Sequence, residues 1–291
     1  MNYDYLSKIR ANIALYTNKM TSNVLDGEFK SIFRGRSLDF DDLREYSYGD
    51  NVKDIDWKSS SKTGKILVRR YVAYRKHNIL FVGDSGIKFT GDTMNGQKKK
   101  DVALTACGTI AYLVDRHGDD FALLTSVDDG YDFSFFNSGG AHFEHILTDY
   151  EKYILKTPKY PIDEVLEYAA EQIKRKMVIV LITDIEGLSK IDESLIRKLT
   201  VNNDLLCVNV TDAFMHGDDV YDVDRKRYED RFILRDRKLF EAEKRIKDSI
   251  VERADDMFTS YGATMVSMSS EEETVDKVAM LFERHRNETN G

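Results

Sequence analysis

Cysteine, proline and tryptophan are scarce in this 291-residue sequence, which holds two, two and one of them. Cys107 and Cys207 both sit in apolar runs. Two thiols are too few for a disulfide scaffold, and four zinc ligands of the usual spacing are absent. No run of about 18 apolar residues occurs, so no membrane-spanning helix is expected. The opening Met1-Asn2-Tyr3-Asp4-Tyr5 lacks the basic stretch and apolar core of a secretory signal. The expected setting is the cytoplasm, with reduced thiols and no membrane insertion. Nucleotide fingerprints are missing too. Gly83-Asp84-Ser85-Gly86 does not have the G-x-G-x-x-G spacing, and no G-x-x-x-x-G-K-[ST] run exists. No serine lies in a G-x-S-x-G context, and neither cysteine has the polar setting of a nucleophile. No catalytic constellation emerges, so the chain is not expected to be an enzyme.

What the sequence does have is apolar content of 42% and charged content of 32%, enough to bury a core. Its net charge of −8 is unevenly spread. Residues 1–77 hold 15 basic and 10 acidic residues, a net of +5, and the remainder is net −13. A basic arm could seat a nucleic acid. Here, however, the basic residues are interleaved with Asp39, Asp41, Asp42, Glu45, Asp50, Asp54 and Asp56, where phosphate recognition wants a stripe of one sign. Nucleic acid is not an expected partner. The Lys98-Lys99-Lys100 run is expected to be a solvated helix start.

Along the chain, Tyr5, Ile9, Ile13 and Tyr16 recur at helical spacing and predict an amphipathic helix over residues 4–20. Glycines 27, 35, 49 and 64 then punctuate short runs, and residues 66–72 read as a strand. Residues 1–77 are thus an N-terminal helix plus a small β-rich segment. From residue 78 the pattern becomes regular. Short continuous apolar runs at 78–82, 121–125, 177–182, 205–210 and 264–268 predict strands buried on both faces. Helices are expected at about 100–117, 140–155, 162–175, 191–201, 236–260 and 271–286. Residues 131–135 make a further strand, joined to the second by the turn signal Asp129-Gly130 and therefore antiparallel to it. Strands alternating with helices predict a doubly wound, mostly parallel, Rossmann-like α/β sheet over residues 78–291, with helices on both faces.

In such a sheet, ligands bind at the carboxyl ends of the strands where strand order reverses. That rule should bring Gly83-Asp84-Ser85-Gly86 to face Thr183-Asp184-Ile185-Glu186-Gly187. Asp84, Ser85 and Asp184 are oxygen donors suited to a hard cation such as Mg2+. One reading is a metal-dependent adhesion-type site, completed by a partner's carboxylate. The other is that both aspartates cap the following helices. His142 and His145 lie three apart on one predicted helix, but a third zinc ligand is not evident.

Residues 33–71 are the most distinctive stretch. They include Phe40, Leu43, Arg44, Glu45, Tyr46, Gly49, Asp50, Ile55, Asp56, Trp57 and Gly64. This segment resembles the domain of unknown function 58 family, whose pattern G-x-x-x-x-F-D-D-L-R-E-Y-x-x-G-D-D-x-R-x-I-D-W-x-x-S-A-R-T-G precedes a von Willebrand factor A-like fold. Two departures stand within it. Lys53 replaces the family's arginine and Ser61-Lys62 its Ala-Arg, each removing a bidentate guanidinium. Alternating charges around the one tryptophan predict a network of buried or semi-buried ion pairs, with Arg44, Asp50, Asp56 and Arg69 as members about Trp57. The segment would serve either to pin the N-terminal strands or to bind a partner.

The resemblance also implies a metal motif, D-x-S-x-S, after the first strand of the sheet. In register, Gly83 takes its first Asp, Ser85 its first Ser and Ile87 its second, leaving Asp84 one position out. The second loop's Thr falls on Ala141. Only Ser85 and Asp184 keep their identity, so the metal site of Asp84, Ser85 and Asp184 is expected to be degenerate, binding Mg2+ weakly if at all. Family members often accompany AAA-type ATPases of the MoxR kind. The resemblance therefore implies a non-enzymatic adaptor that works with such an ATPase on a client protein or complex, the helix near 236–260 and the tyrosine-rich N-terminal surface being candidate contact faces. The alternatives are a Mg2+-dependent protein-binding module and a metal-assisted phosphohydrolase.

Overall fold

A computed structural model describes residues 5–16, 27, 29, 42–50, 52, 55–70, 76–214, 220–222, 227–229 and 237–289. The described helices are Tyr5–Tyr16 (α1), Trp57–Thr63 (α2), Lys99–Arg116 (α3), Gly140–Ile154 (α4), Ile162–Gln172 (α5), Ile185–Lys190 (α6), Glu193–Thr200 (α7), Arg237–Ser260 (α8) and Thr274–Thr289 (α9), with a 3-10 turn at Ile87–Thr90. The strands are Asp42–Glu45 (β1), Leu67–Arg70 (β2), Asn78–Gly83 (β3), Asp120–Val127 (β4), Gly130–Phe133 (β5), Val178–Asp184 (β6), Asp204–Val210 (β7), Val220–Asp222 (β8), Arg227–Glu229 (β9) and Thr264–Met268 (β10). Of the N-terminal helix expected over residues 4–20, positions 4 and 17–20 lie outside the described residues.

Six strands form the central sheet in the order β10-β7-β6-β3-β4-β5. All neighbours are parallel except the β4–β5 hairpin, whose register pairs Val127 with Gly130 across a turn at residues 128 and 129. The sheet starts at β3, grows outward through β4 and β5, then returns to the other side of β3 for β6, β7 and β10. Strand order therefore reverses between β3 and β6.

The strands are continuous apolar runs because each face has its own helical layer. Alternate residues of a strand point to opposite faces. Ile79 and Phe81 of β3 join one core with α1, α3, α4 and α9 residues, including Ile9, Cys107, Phe143 and Phe282. Leu80 and Val82 join a second core with α5, α7 and α8 residues, including Leu166, Ile196 and Phe258. Helix α1 thus packs into the body of the sheet domain. Residues 42–70 build a smaller unit, in which β1 pairs antiparallel with β2 and Ile55 bridges to Val68. Among the described residues no helix is long and apolar enough to cross a membrane.

Candidate functional site

The reversal point between β3 and β6 holds a compact polar cluster. Asp84 directly follows β3 and Asp184 ends β6, and both are buried. Their neighbour Asp212 lies two residues beyond β7. Three adjacent parallel strands thus each deliver an aspartate to the same end of the sheet. Backbone and hydroxyl donors reach two of them. Asp84 Oδ1 accepts from the Ser85 amide at 2.8 Å, and Asp84 Oδ2 from Thr183 Oγ1 at 2.6 Å. Asp184 Oδ1 accepts from the Gly187 amide at 3.0 Å and caps α6, as the helix-capping reading expects. Asp84 does not cap the next turn, whose first position is served by Gly86 without a side-chain bond.

Two lysines enter this cluster. Lys88, from the 3-10 turn, donates to Asp84 Oδ2 at 2.7 Å and to Asp184 Oδ1 at 3.0 Å. Lys99, the first residue of α3, donates to Asp184 Oδ2 at 2.6 Å and also pairs with Asp212. Lys99 is 1% exposed. The solvated helix start expected of Lys98-Lys99-Lys100 is therefore wrong for its middle member. The helical turn directs that side chain inward, and the two carboxylates compensate a charge that could not otherwise be buried.

The cluster carries three carboxylates and two ammonium groups, so one negative charge is left over. Burial is the strongest influence on Asp184 and pushes its carboxyl up, but Lys99, Lys88 and the hydrogen bonds together outweigh it and hold the group below its ordinary value. For Asp84 burial prevails over Lys88, and for Asp212 over Lys99, so both are pushed up. Both lysines are held above their ordinary value: burial opposes the charge, but the neighbouring carboxylates more than offset it.

Every carboxylate oxygen of Asp84 and Asp184 is engaged by these donors. A divalent cation shared by the two groups would need the same lone pairs and the same space as the Lys88 ammonium. Ser85 donates its hydroxyl to the Ser126 carbonyl at 3.2 Å. Gly83, at the position of the motif's first Asp, cannot carry a ligand there, because a Cβ would stand 2.5 Å from Tyr150 Cε2. The tyrosine ring fills that place and its hydroxyl donates to the Asp84 carbonyl at 3.2 Å. With the lysines so placed, the residues present do not fit a divalent cation. Among the described residues no group of three or more His, Cys, Asp or Glu is arranged to hold a metal ion. His142 sits against the Phe121 carbonyl at 2.8 Å and His145 beside Asp149 at 3.3 Å, so the two do not converge. Burial pushes both cysteine thiols up, which disfavours the thiolate.

In the family-signature segment one pair of the expected buried or semi-buried network forms, and Asp56 has a different part. Arg44 pairs with Asp50 at the surface, and Asp50 also accepts from the Ser47 amide at 2.8 Å. That backbone bond, followed by Arg44, holds the Asp50 carboxyl below its usual value. Asp56 is the N-cap of α2, accepting from the Ser59 amide at 2.9 Å. Ser60 ties this helix to β2 by accepting from the Leu67 amide at 2.8 Å. Trp57, the first residue of α2, is 65% exposed rather than enclosed. Arg69 lies in β2 opposite Leu43, and its side chain is outside the described residues.

The fold brings together the expected Asp84, Ser85 and Asp184, and adds Lys88, Lys99, Thr183 and Asp212, which were not expected there. A signal existed for Asp212, because Thr211-Asp212 follows an apolar strand just as Gly83-Asp84 does and as Thr183-Asp184 closes one. Lys88 stands four residues after Asp84, but Gly86 (φ 132°) breaks the chain direction between them, so no helical spacing marks the pair in the sequence.

A doubly wound α/β sheet with a polar cluster at its reversal point defines the class. Residues 42–223 match the family described as "Protein of unknown function DUF58", which is more than half of the chain, and the chain belongs to that family. Comparison with curated proteins found no match. Among solved structures the chain is similar to the conserved hypothetical protein BatB from Bacteroides thetaiotaomicron, at 11% identity over 72% of this chain and 99% of that one, with a TM-score of 0.44. It is similar to an aerotolerance-related membrane protein from Bacteroides fragilis at 12% identity, over 71% and 98% of the two chains, with a TM-score of 0.42. The SpRpn10 VWA domain matches at 12% identity, over 70% and 94%, with a TM-score of 0.41.

Proposed function

We propose that this chain is a cytoplasmic, non-enzymatic protein-interaction module, an adaptor working with a MoxR-type AAA ATPase on a client protein or complex. Its strand-end site is a degenerate metal-ion-dependent adhesion-type site that lysine holds closed. The observation that carries the reading is the Lys88 ammonium, which lies within 3.0 Å of one oxygen from each of Asp84 and Asp184. An internal cation there serves the electrostatic role of a divalent ion, neutralising facing carboxylates, without leaving a coordination position for a partner. The same engagement removes the free carboxylates that metal-assisted hydrolysis would need. Membership of the family and the signature segment around Trp57 support the ATPase partnership. The exposed face of α2 and the β1–β2 pair is the surface it would use.

The test has two arms. Mg2+ and Mn2+ are titrated into the protein and into Asp184→Ala by calorimetry, and complex formation with a purified MoxR-type ATPase is measured with and without EDTA. The expected result is no saturable metal heat and an EDTA-resistant complex that Trp57→Ala weakens. Saturable binding tighter than about 1 mM, lost in Asp184→Ala together with an EDTA-sensitive complex, would establish the metal-dependent module instead.

A further inference from the structure

Beside the lysine-closed cluster a cleft of about 320 Å³ opens at the carboxyl ends of β7 and β10, under α8. Its walls are largely apolar, with Met94, Ile185, Phe214 and Val251 among them. Two of the residues that line it, Asn209 and Asp212, each carry a buried oxygen without a hydrogen-bond partner, Asn209 Oδ1 and Asp212 Oδ2. Asn209 is 1% exposed, and its amide nitrogen donates to Ser267 Oγ at 3.0 Å, which fixes the side chain and leaves the carbonyl oxygen over. Asp212 gives its other oxygen to Lys99. A buried acceptor without a partner costs on the order of 1–3 kcal/mol, more when charged, and two in one cleft point to donors supplied from outside.

The charge of the missing donor follows from its surroundings. The strand-end cluster holds one more carboxylate group than ammonium, and Asp212, whose second oxygen has no partner, belongs both to that cluster and to the lining of the cleft. Asp248 and Glu252 of α8 add two further negative charges to its lining. Lys247 also lines it; its ammonium is balanced by Glu243 Oε1 and donates to the Ala213 carbonyl, each at 2.7 Å, and lies 4.9 Å from the centre of one face of the Phe214 ring. An anion would be repelled, and a neutral apolar molecule would leave both acceptors unpaired. We propose that this cleft binds an organic cation, an ammonium or guanidinium group on an apolar stem, with the head on Asn209 Oδ1 and Asp212 Oδ2 and the stem against Phe214 and Val251. Such a group occurs at the end of a lysine or arginine side chain of a partner and in free alkylamines. Met94, an unbranched and adaptable side chain, is 53% exposed and lines the same cleft, so it can close over stems of different shape. The site is separate from the signature segment and does not depend on the ATPase reading.

The test is calorimetry on the full chain with n-butylguanidinium, n-butylammonium, N-acetylarginine methylamide and n-butanol as probes. At least one cation should bind saturably with a dissociation constant below about 1 mM, and n-butanol should not. Asn209→Leu, which keeps the volume and deletes the unpaired oxygen, should weaken cation binding at least about tenfold while leaving the ligand-free protein as stable as before or more so. The surface change Asp248→Asn, which cannot disturb the core, should weaken it by up to about fivefold. Binding of the arginine derivative as well as the free cations would identify a basic side chain as an accepted source, and binding of the free cations alone would identify a small amine. Absence of cation binding, equal binding of n-butanol, or unchanged affinity in Asn209→Leu would overturn the proposal.

Discussion

Lys99 shows what a single side chain contributes here. It is enclosed at the start of α3, and both of its carboxylate partners are themselves largely removed from water. Removing one partner of a buried pair leaves the others uncompensated, which costs about 3–5 kcal/mol. Lys99→Met, close in length and apolar, should therefore lower the unfolding free energy by that amount in a urea titration. Adding Asp184→Asn should recover part of the loss, because the surplus charge goes with it. A double-mutant cycle with no coupling would show that the pair is incidental. The same lysines predict a pH dependence. Both have folded-state values above the ordinary 10.5, so their stabilisation is fully present below that pH and is lost as pH rises through the higher folded value. The stability gap between the protein and Lys99→Met should stay constant from pH 8 to about 10.5 and then narrow. The acid side is less informative. Asp184, held low, contributes stability above its ordinary 3.8 that is lost as pH falls through the folded value, whereas Asp84 and Asp212, pushed up, contribute with the opposite sign. Why the sequence showed the aspartates and hid the lysines is physical. An aspartate directly after an apolar strand is placed by the strand itself. A lysine in a basic run is placed only by tertiary packing, which no local pattern records.

At the scale of elements, the strands of the sheet were legible because they are buried on both faces. Their apolar runs needed no knowledge of the partner strand, and the observed β3, β6, β7 and β10 fall within a residue or two of the expected spans. The helix expected at 191–201 is the nearly matching Glu193–Thr200, capped by Asp192 accepting from the Leu195 amide at 2.9 Å. Short elements were not legible. The six-residue α6, the 3-10 turn carrying Lys88 and the β8–β9 pair are too brief to carry a period. Nor could α1 be assigned its place from spacing alone. It packs across α3 where Gly108 leaves room, with Ile9 so close that a Cβ there would stand 2.9 Å from Ile9 Cδ1. Ile9 is fully buried in the core shared with Cys107 and Leu147. Ile9→Ala should then cost about 2–5 kcal/mol and lower the midpoint of the main unfolding transition. An unchanged main transition, with loss only of a separate early one, would mean that α1 is an appended arm. The small β1–β2 unit makes a local prediction of its own. Asp56→Ala removes the cap of a seven-residue helix and should cost about 0.5–2 kcal/mol, read as faster amide exchange at Ser59 and Ser60 with the sheet domain's melting temperature unchanged.

For the molecule as a whole, topology creates the electrostatic problem that the lysines solve. Parallel strands bring their carboxyl ends to one side, and here β3, β6 and β7 each place an aspartate there, at the point where strand order reverses. Three acids so close need positive charge, supplied by a bound cation or by the chain itself. Lys88 and Lys99 are the chain's own answer, and each approaches from a different segment outside the sheet. The choice between the two solutions should therefore be reversible by one substitution. Lys88→Ser leaves the Asp84 and Asp184 oxygens facing each other with one ammonium fewer, beside the Ser85 and Thr183 hydroxyls. Without metal this variant should be less stable than the parent. With 10 mM Mg2+ and a dissociation constant near 1 mM, ligand linkage returns about 1.4 kcal/mol, a rise in melting temperature that the parent should not show. The rise should vanish when Asp184→Ala is added. Equal responses to Mg2+ in parent and Lys88→Ser would mean that the ammonium does not stand in for the ion, and the reading of the strand ends as a lysine-closed site would fall with it.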